Sequence, residues 1–105
     1  MVFISRHPIV QHKIARLRDV RTPPAEFRQL VRTLAILLAQ EATADLAAVD
    51  AEVTTPLGFA PARTLADVVG IVPILRAGLG MGEGLLELIP EAEVWHIGLF
   101  RDEAT

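Results

Sequence analysis

The chain has 105 residues, 51% of them apolar, and a mean hydropathy of +0.41, enough core material for one small domain and too much for a disordered segment. It lacks the run of about 18 apolar residues that a membrane span needs. The apolar part of Met1-Val2-Phe3-Ile4 is too short for a secretory signal, and the absence of cysteine removes disulfides, thiolate catalysis and Cys-ligated zinc, so a cytoplasmic protein is expected. The net charge of −3 is unevenly spread: residues 1–32 carry seven basic side chains against two acidic, and residues 33–105 carry three against eleven. A basic third of this kind meets phosphates or nucleic acid in some proteins; the plainer reading, preferred here, is a solvated helical face that pairs with the acidic remainder, with no nucleic-acid partner.

His7-Pro8 opens a first helix, since proline at the first turn loses no hydrogen bond, and Ile9, Val10, Ile14 and Leu17 recur at helical spacing through Arg18. Arg21-Thr22-Pro23-Pro24 starts a second helix with Thr22 as the expected N-cap. Its apolar stripe of Phe27, Leu30, Val31, Leu34, Leu37, Leu38 and Ala42 predicts a core face running to about Asp45 or Leu46, with Arg28, Gln29, Arg32 and Gln40 largely opposite. At Val49 the period changes to two, which predicts a half-exposed strand, and Thr55–Pro61 with two prolines and a glycine predicts a turn or hairpin arm. Val68–Leu75 is a continuous apolar run and reads as a strand buried on both faces of a parallel sheet, provided that Pro73 sits where no ladder donor is needed. The glycine-rich stretch from Arg76 to Gly84 then enters a helix that stops at Pro90, and Val94–Phe100 is the next strand.

The expectation is therefore one domain over 1–105. It divides into a helical part over 1–48, a strand and hairpin arm over 49–66, and a β-loop-α-β unit over 67–105 that holds part of a parallel sheet.

Chemistry concentrates in that last unit. Ligands of open α/β sheets lie beyond the carboxyl ends of the strands, where Arg76 and Arg101 fall. Between them, Gly78, Gly80, Gly82 and Gly84 allow backbone amides to approach an anion at a helix N-terminus. The spacing matches neither the dinucleotide fingerprint nor the Walker A pattern, so the residues alone leave two readings: a phosphate site, or a glycine-rich turn beside a surface arginine. Three histidines at His7, His12 and His96 have poor spacing for a shared ion, and structural roles are expected of them. Glu83 and Glu87 read as a solvated acidic pair, and Trp95 as a cover for a sheet face or subunit contact.

Val72-Pro73-Ile74-Leu75-Arg76-Ala77-Gly78-Leu79-Gly80-Met81 closely resembles the diphosphate-binding loop of uracil phosphoribosyltransferases. His96–Glu103 resembles the strand and phosphate-binding arginine that follow it, with Phe100 where tyrosine is more usual. His7–Lys13, Leu17-Arg18-Asp19, Phe27-Arg28, Glu41-Ala42-Thr43 and Thr55-Pro56-Leu57 match upstream, in order. The resemblance implies the type I phosphoribosyltransferase fold. It also implies a reaction in which uracil and 5-phosphoribosyl 1-diphosphate give UMP and diphosphate with Mg²⁺. Carried over by position, Arg76, Ala77, Gly78, Leu79, Gly80 and Arg101 would bind the substrate diphosphate, while no Mg²⁺ ligand is assigned in this chain. Family members are about twice as long and form homo-oligomers; the ribose-phosphate loop and the uracil-reading segment have no counterpart here, so the chain resembles the N-terminal half. The alternatives are a non-catalytic remnant or interaction module that dimerises with a full-length or complementary half, and a transferase for another base.

Overall fold

The structure, a computed structural model, describes residues 2–75 and 78–98. In chain order the elements are α1 (Pro8–Arg18), α2 (Pro24–Ala42), β1 (Ala48–Thr55), β2 (Gly58–Leu65), β3 (Gly70–Ile71), β4 (Ile74–Leu75), α3 (Leu79–Leu88), β5 (Glu93–Val94) and β6 (Ile97–Gly98). The architecture is α/β, with N-terminal helices ahead of a partial parallel sheet, as the sequence predicts.

The helix starts and stops have identifiable causes. His7 caps α1: its Nδ1 accepts the Ile9 amide at 3.2 Å. Thr22 is not the cap of α2, contrary to expectation. Its hydroxyl donates to the Arg16 carbonyl and closes the corner between the helices, and Pro23 takes the cap position with Pro24 at the first turn, where a missing N–H costs nothing. At the other end α2 stops at Ala42, earlier than its apolar pattern suggests, with Thr43 as the C-cap: its amide and its hydroxyl both donate to the Ala39 carbonyl, at 2.9 and 2.6 Å. Of the predicted stripe, Leu30 and Leu34 are buried, Val31, Leu37 and Leu38 are half-buried, and Phe27 and Ala42 are exposed.

The α1–α2 corner is also tied by charge. Arg16 grips Glu26 with two parallel bonds of 2.7 and 2.8 Å, and Arg21 bonds Asp19 in the same way at 3.1 and 2.8 Å. The hydrogen bond from Arg16 holds the Glu26 carboxyl below its ordinary pKa, and those from the Arg21 side chain and amide do the same for Asp19. Stability from these two carboxylates is therefore complete above the ordinary carboxylate range and is lost as acid protonates them. Helical circular dichroism should melt at a lower temperature near about pH 3 than near about pH 6. Glu26→Gln should lower the melt at the higher pH and flatten the difference; an equal pH dependence in both proteins would reject this. Among the described residues, two of the seven basic side chains of the first third pair within it, and Arg32–Glu87 at 3.4 Å is the ion pair linking it to the acidic remainder.

β1 and β2 form an antiparallel hairpin, in register from Ala48↔Leu65 to Thr55↔Gly58. The turn is Pro56-Leu57, and it closes because Gly58 adopts a φ of 119°, which a side chain would resist. No residue of either strand is buried, and Phe59 is 77% exposed. The molecule is accordingly elongated, 60 × 34 × 29 Å, with a radius of gyration of 17.8 Å. A compact domain of this length has about 13 Å.

The apolar run at 68–75 differs from the single buried strand expected of it. It pairs in parallel with the 93–98 segment in two short ladders, Gly70↔Glu93 to Ile71↔Val94 and Ile74↔Ile97 to Leu75↔Gly98. Both keep one register, and the amides of Glu93, Trp95 and Ile97 donate in sequence to the carbonyls of Val69, Ile71 and Pro73. The break falls at Val72-Pro73, because proline has no N–H with which to return a bond. Nor is the run buried on both faces. Ile71 and Pro73 are buried, whereas Val72 and Ile74 are about half exposed, at 49% and 47%. Trp95 is 65% exposed and so covers no sheet face among the described residues.

Candidate functional site

Everything expected of the site hangs on how the chain leaves β4 and enters α3. The helix begins at Leu79, so Gly80, Gly82 and Gly84 lie inside it rather than in a preceding loop. Gly78 is the N-cap, and its amide donates to the Ile74 carbonyl at 2.7 Å, folding the chain back onto the end of the strand. Such a turn admits no side chain: a Cβ on Gly78 would lie 2.8 Å from the Ile74 nitrogen and 3.0 Å from its carbonyl oxygen. Beyond the turn, the Gly82 amide donates to the Gly78 carbonyl at 2.9 Å. The amides of Leu79, Gly80 and Met81 precede that bond, in the first turn of a helix, where N–H groups have no intrahelical partner and the dipole favours an anion.

A cleft of about 580 Å³ opens between this first turn and α2, lined by Phe27, Arg28, Arg32, Gly80 and Glu83 among others. Arg28 and Arg32 sit one helical turn apart on α2 and line the cleft together with Gly80, while the Arg32 guanidinium also reaches Glu87 at 3.4 Å. Both arginines are exposed, away from the buried Leu30 and Leu34 as their spacing predicts, and both border this cleft. Glu83 and Glu87 are both exposed, as expected of a solvated acidic pair; Glu83 also lines the cleft, and Glu87 reaches Arg32 across its rim.

Close approach holds the cleft in shape. A Cβ on Gly84 would stand 2.6 Å from the Arg32 carbonyl oxygen and 3.0 Å from the Ala35 Cβ, so α2 and α3 meet nearly backbone to backbone. Gly84→Ala gains about 1 kcal/mol of helix propensity but must push the helices apart at a typical overpacking cost of about 1–3 kcal/mol. A net loss of several degrees in the melting temperature is expected. Gly70→Ala, where nothing lies within 4 Å of an added Cβ, serves as the control; equal melting of the two variants would contradict the close packing.

Of the residues assigned to a diphosphate, the structure places Gly78, Leu79 and Gly80 together at the start of α3. Arg76, Ala77 and Arg101 lie outside the described residues. His7 has the structural role expected of it, as the α1 cap. Among the described residues no cluster of three or more His, Asp or Glu side chains could hold a metal ion, and no helix is long and apolar enough to cross a membrane.

Residues 4–105 match the family model described as uracil phosphoribosyltransferase. The chain is 54% identical over 104 residues to a uracil phosphoribosyltransferase of Roseiflexus sp., covering 99% of this chain and 50% of that protein. It is 50% identical over 105 residues to one from Thermoanaerobacter sp., again with 99% and 50% coverage. A solved protein from Aquifex aeolicus superposes with a TM-score of 0.91 at 34% identity, over 98% of this chain and 50% of that one. The chain thus spans about half the length of the curated relatives it matches.

Proposed function

Because the chain belongs to the uracil phosphoribosyltransferase family, we propose that its 76–101 segment holds the diphosphate of 5-phosphoribosyl 1-diphosphate while the phosphoribosyl group passes to uracil. In that reaction the bond from the anomeric carbon to the diphosphate oxygen breaks. A bond from the same carbon to a uracil ring nitrogen forms, the nitrogen's proton goes to solvent, and UMP and diphosphate leave. Charge accumulates on the departing diphosphate, so the useful groups are cations and amides that already point at it.

The observation that carries this reading is the Gly78 turn, which brings the first-turn amides of α3 to the carboxyl end of β4. Arg76 and Arg101 flank the turn in sequence, and planar guanidinium forks suit phosphate oxygens better than ammonium groups do. Mg²⁺ belongs to the proposal as an ion that enters on the substrate's phosphates, the usual way such sites acquire it. The cytoplasm is the proposed compartment. The test is a chimera in which residues 1–105 are joined to the second half of the Roseiflexus sp. relative. It should make UMP from uracil and 5-phosphoribosyl 1-diphosphate, and a folded chimera without that activity would overturn the reading.

The protein is further proposed to be a homo-oligomer. The hairpin leaves Val49, Val53 and Phe59 exposed, and among the described residues the parallel ribbon is two strands wide. Sedimentation at micromolar concentration should show dimers or larger species, and a clean, stable monomer would reject this.

A further inference from the structure

Two segments that the proposed reaction leaves unused meet at one corner of the molecule: the start of α1 at His7 and the end of α2 at Glu41. A short relay of hydrogen bonds joins them. The Ser5 hydroxyl donates to the Glu41 carboxylate at 2.8 Å and accepts the His7 amide at 3.3 Å. The His7 ring in turn accepts the Ile9 amide at Nδ1, 3.2 Å away, from an extended backbone with φ −67° and ψ 127°, as an N-cap requires. Little else holds this end of the helix: Val10 is the one buried residue of α1, and Ile9 is half exposed. The opposite end is tied down by the Arg16–Glu26 pair and by the Thr22 hydroxyl on the Arg16 carbonyl. With eleven residues α1 is too short to stand alone, so it opens first from the His7 end.

We infer that His7 is a proton-sensitive latch: the neutral imidazole holds the first turn of α1, and the imidazolium releases it. A Ser, Thr or Asn cap offers an acceptor whatever the pH, whereas a histidine cap offers one only at an unprotonated ring nitrogen. Once the ring is charged both nitrogens are donors, so the Nδ1 proton meets the Ile9 N–H, donor against donor. The positive charge then also sits at the helix end where the dipole opposes it. Both effects act in one direction, and imidazole is the side chain whose charge changes between about pH 5 and 8. The charged and titratable groups of this corner are Arg6, which precedes the latch, His12 and Lys13 further along α1, and Glu41 on α2, the helix packed against it. Among the described residues none of them bonds to the ring. The turn carries the His7 amide, so its loosening also slackens the Ser5 link to α2. The latch is independent of the proposed reaction, and its contribution is present at higher pH and lost as the pH falls.

Amide hydrogen exchange of the chain at about pH 7.5 and about pH 5.5 tests this, because carboxylates stay ionised at both while imidazoles titrate between them. Protection is expressed against the intrinsic exchange rate at each pH. The Gln11 amide closes the first turn on the His7 carbonyl at 3.1 Å. It should lose about fivefold in protection at the lower pH, the factor to which a lost helix cap corresponds. His7→Asn supplies an acceptor that does not titrate and should keep the higher protection at both pH values; His7→Ala should show the lower protection at both. The Leu17 amide, beside the Arg16–Glu26 corner, should be unchanged throughout. Equal protection of Gln11 at the two pH values in the unmodified chain would overturn the inference. So would an equal fall in His7→Asn, which would assign the effect to His12 or another group, and so would a His7→Ala chain as protected as the unmodified one at the higher pH. A fall at Leu17 matching that at Gln11 would do the same, since the whole helix and not its first turn would then respond.

Discussion

Purified by itself and supplied with uracil, 5-phosphoribosyl 1-diphosphate and Mg²⁺, the 105-residue chain is expected to form no UMP. Transfer at the anomeric carbon requires three things at once: the diphosphate held, the ribose 5-phosphate anchored, and the base in line on the opposite side. Fixing reactants in such an arrangement supplies roughly 7–11 kcal/mol of rate acceleration, and the gain collapses when one of them is left to diffuse. In the proposed reaction the Gly78 turn and the first turn of α3 would address the diphosphate alone. Residues 1–105 offer no counterpart to the family's loop for the 5-phosphate or to its base-reading segment. UMP above the level given by an Arg76→Ala version of the same chain would refute the expectation. Activity restored by a separately made second half would support both the reaction and the division of labour.

In the chimera, replacing Arg76 or Arg101 with alanine should weaken the phosphoribosyl substrate without altering uracil affinity. A hydrogen bond between a charged donor and phosphate contributes about 1.5–3 kcal/mol, which corresponds to about 10- to 150-fold in affinity. Lysine at the same positions should recover part of the loss, because it restores the charge but not the two-pronged geometry. Substrate affinity unchanged in both alanine variants would remove these arginines from the site.

Much of the framework was legible because it depends on local chemistry. The bounds of α1 follow from Pro8 and from the apolar spacing through Arg18, and the hairpin follows from the switch to alternation at Val49 with a proline-glycine turn. What was not legible depended on partners. Thr22 looks like a helix cap in sequence, but the Arg16 carbonyl from the preceding helix claims its hydroxyl. Val68–Leu75 has the composition of a strand covered on both sides, whereas among the described residues Val72 and Ile74 stand about half exposed. The glycine-rich entry to α3 was recognisable from its residues. That Arg28 and Arg32 border it was not, since a basic stripe on a helix says nothing about which neighbour it will face.

The glycines inside α3 carry a further consequence. Each interior glycine disfavours an isolated helix by about 1 kcal/mol relative to alanine, and Gly80, Gly82 and Gly84 together make this ten-residue segment a poor helix by itself. The contacts they permit are what sustain it. Gly84 rests on the backbone of α2, and the Pro73 ring lies 3.6 Å from where a Cβ of Gly82 would be. The helix is therefore a wedge whose order is borrowed from both sides. Detaching it from α2 or from the ribbon would melt it, and the same event would scatter the first-turn amides that the proposed function assigns to a phosphate. Hydrogen exchange should then find the amides of α3 opening as one unit with the α2 contact, so that the readiness of the proposed anion cradle at any moment is set by the docking equilibrium of this helix.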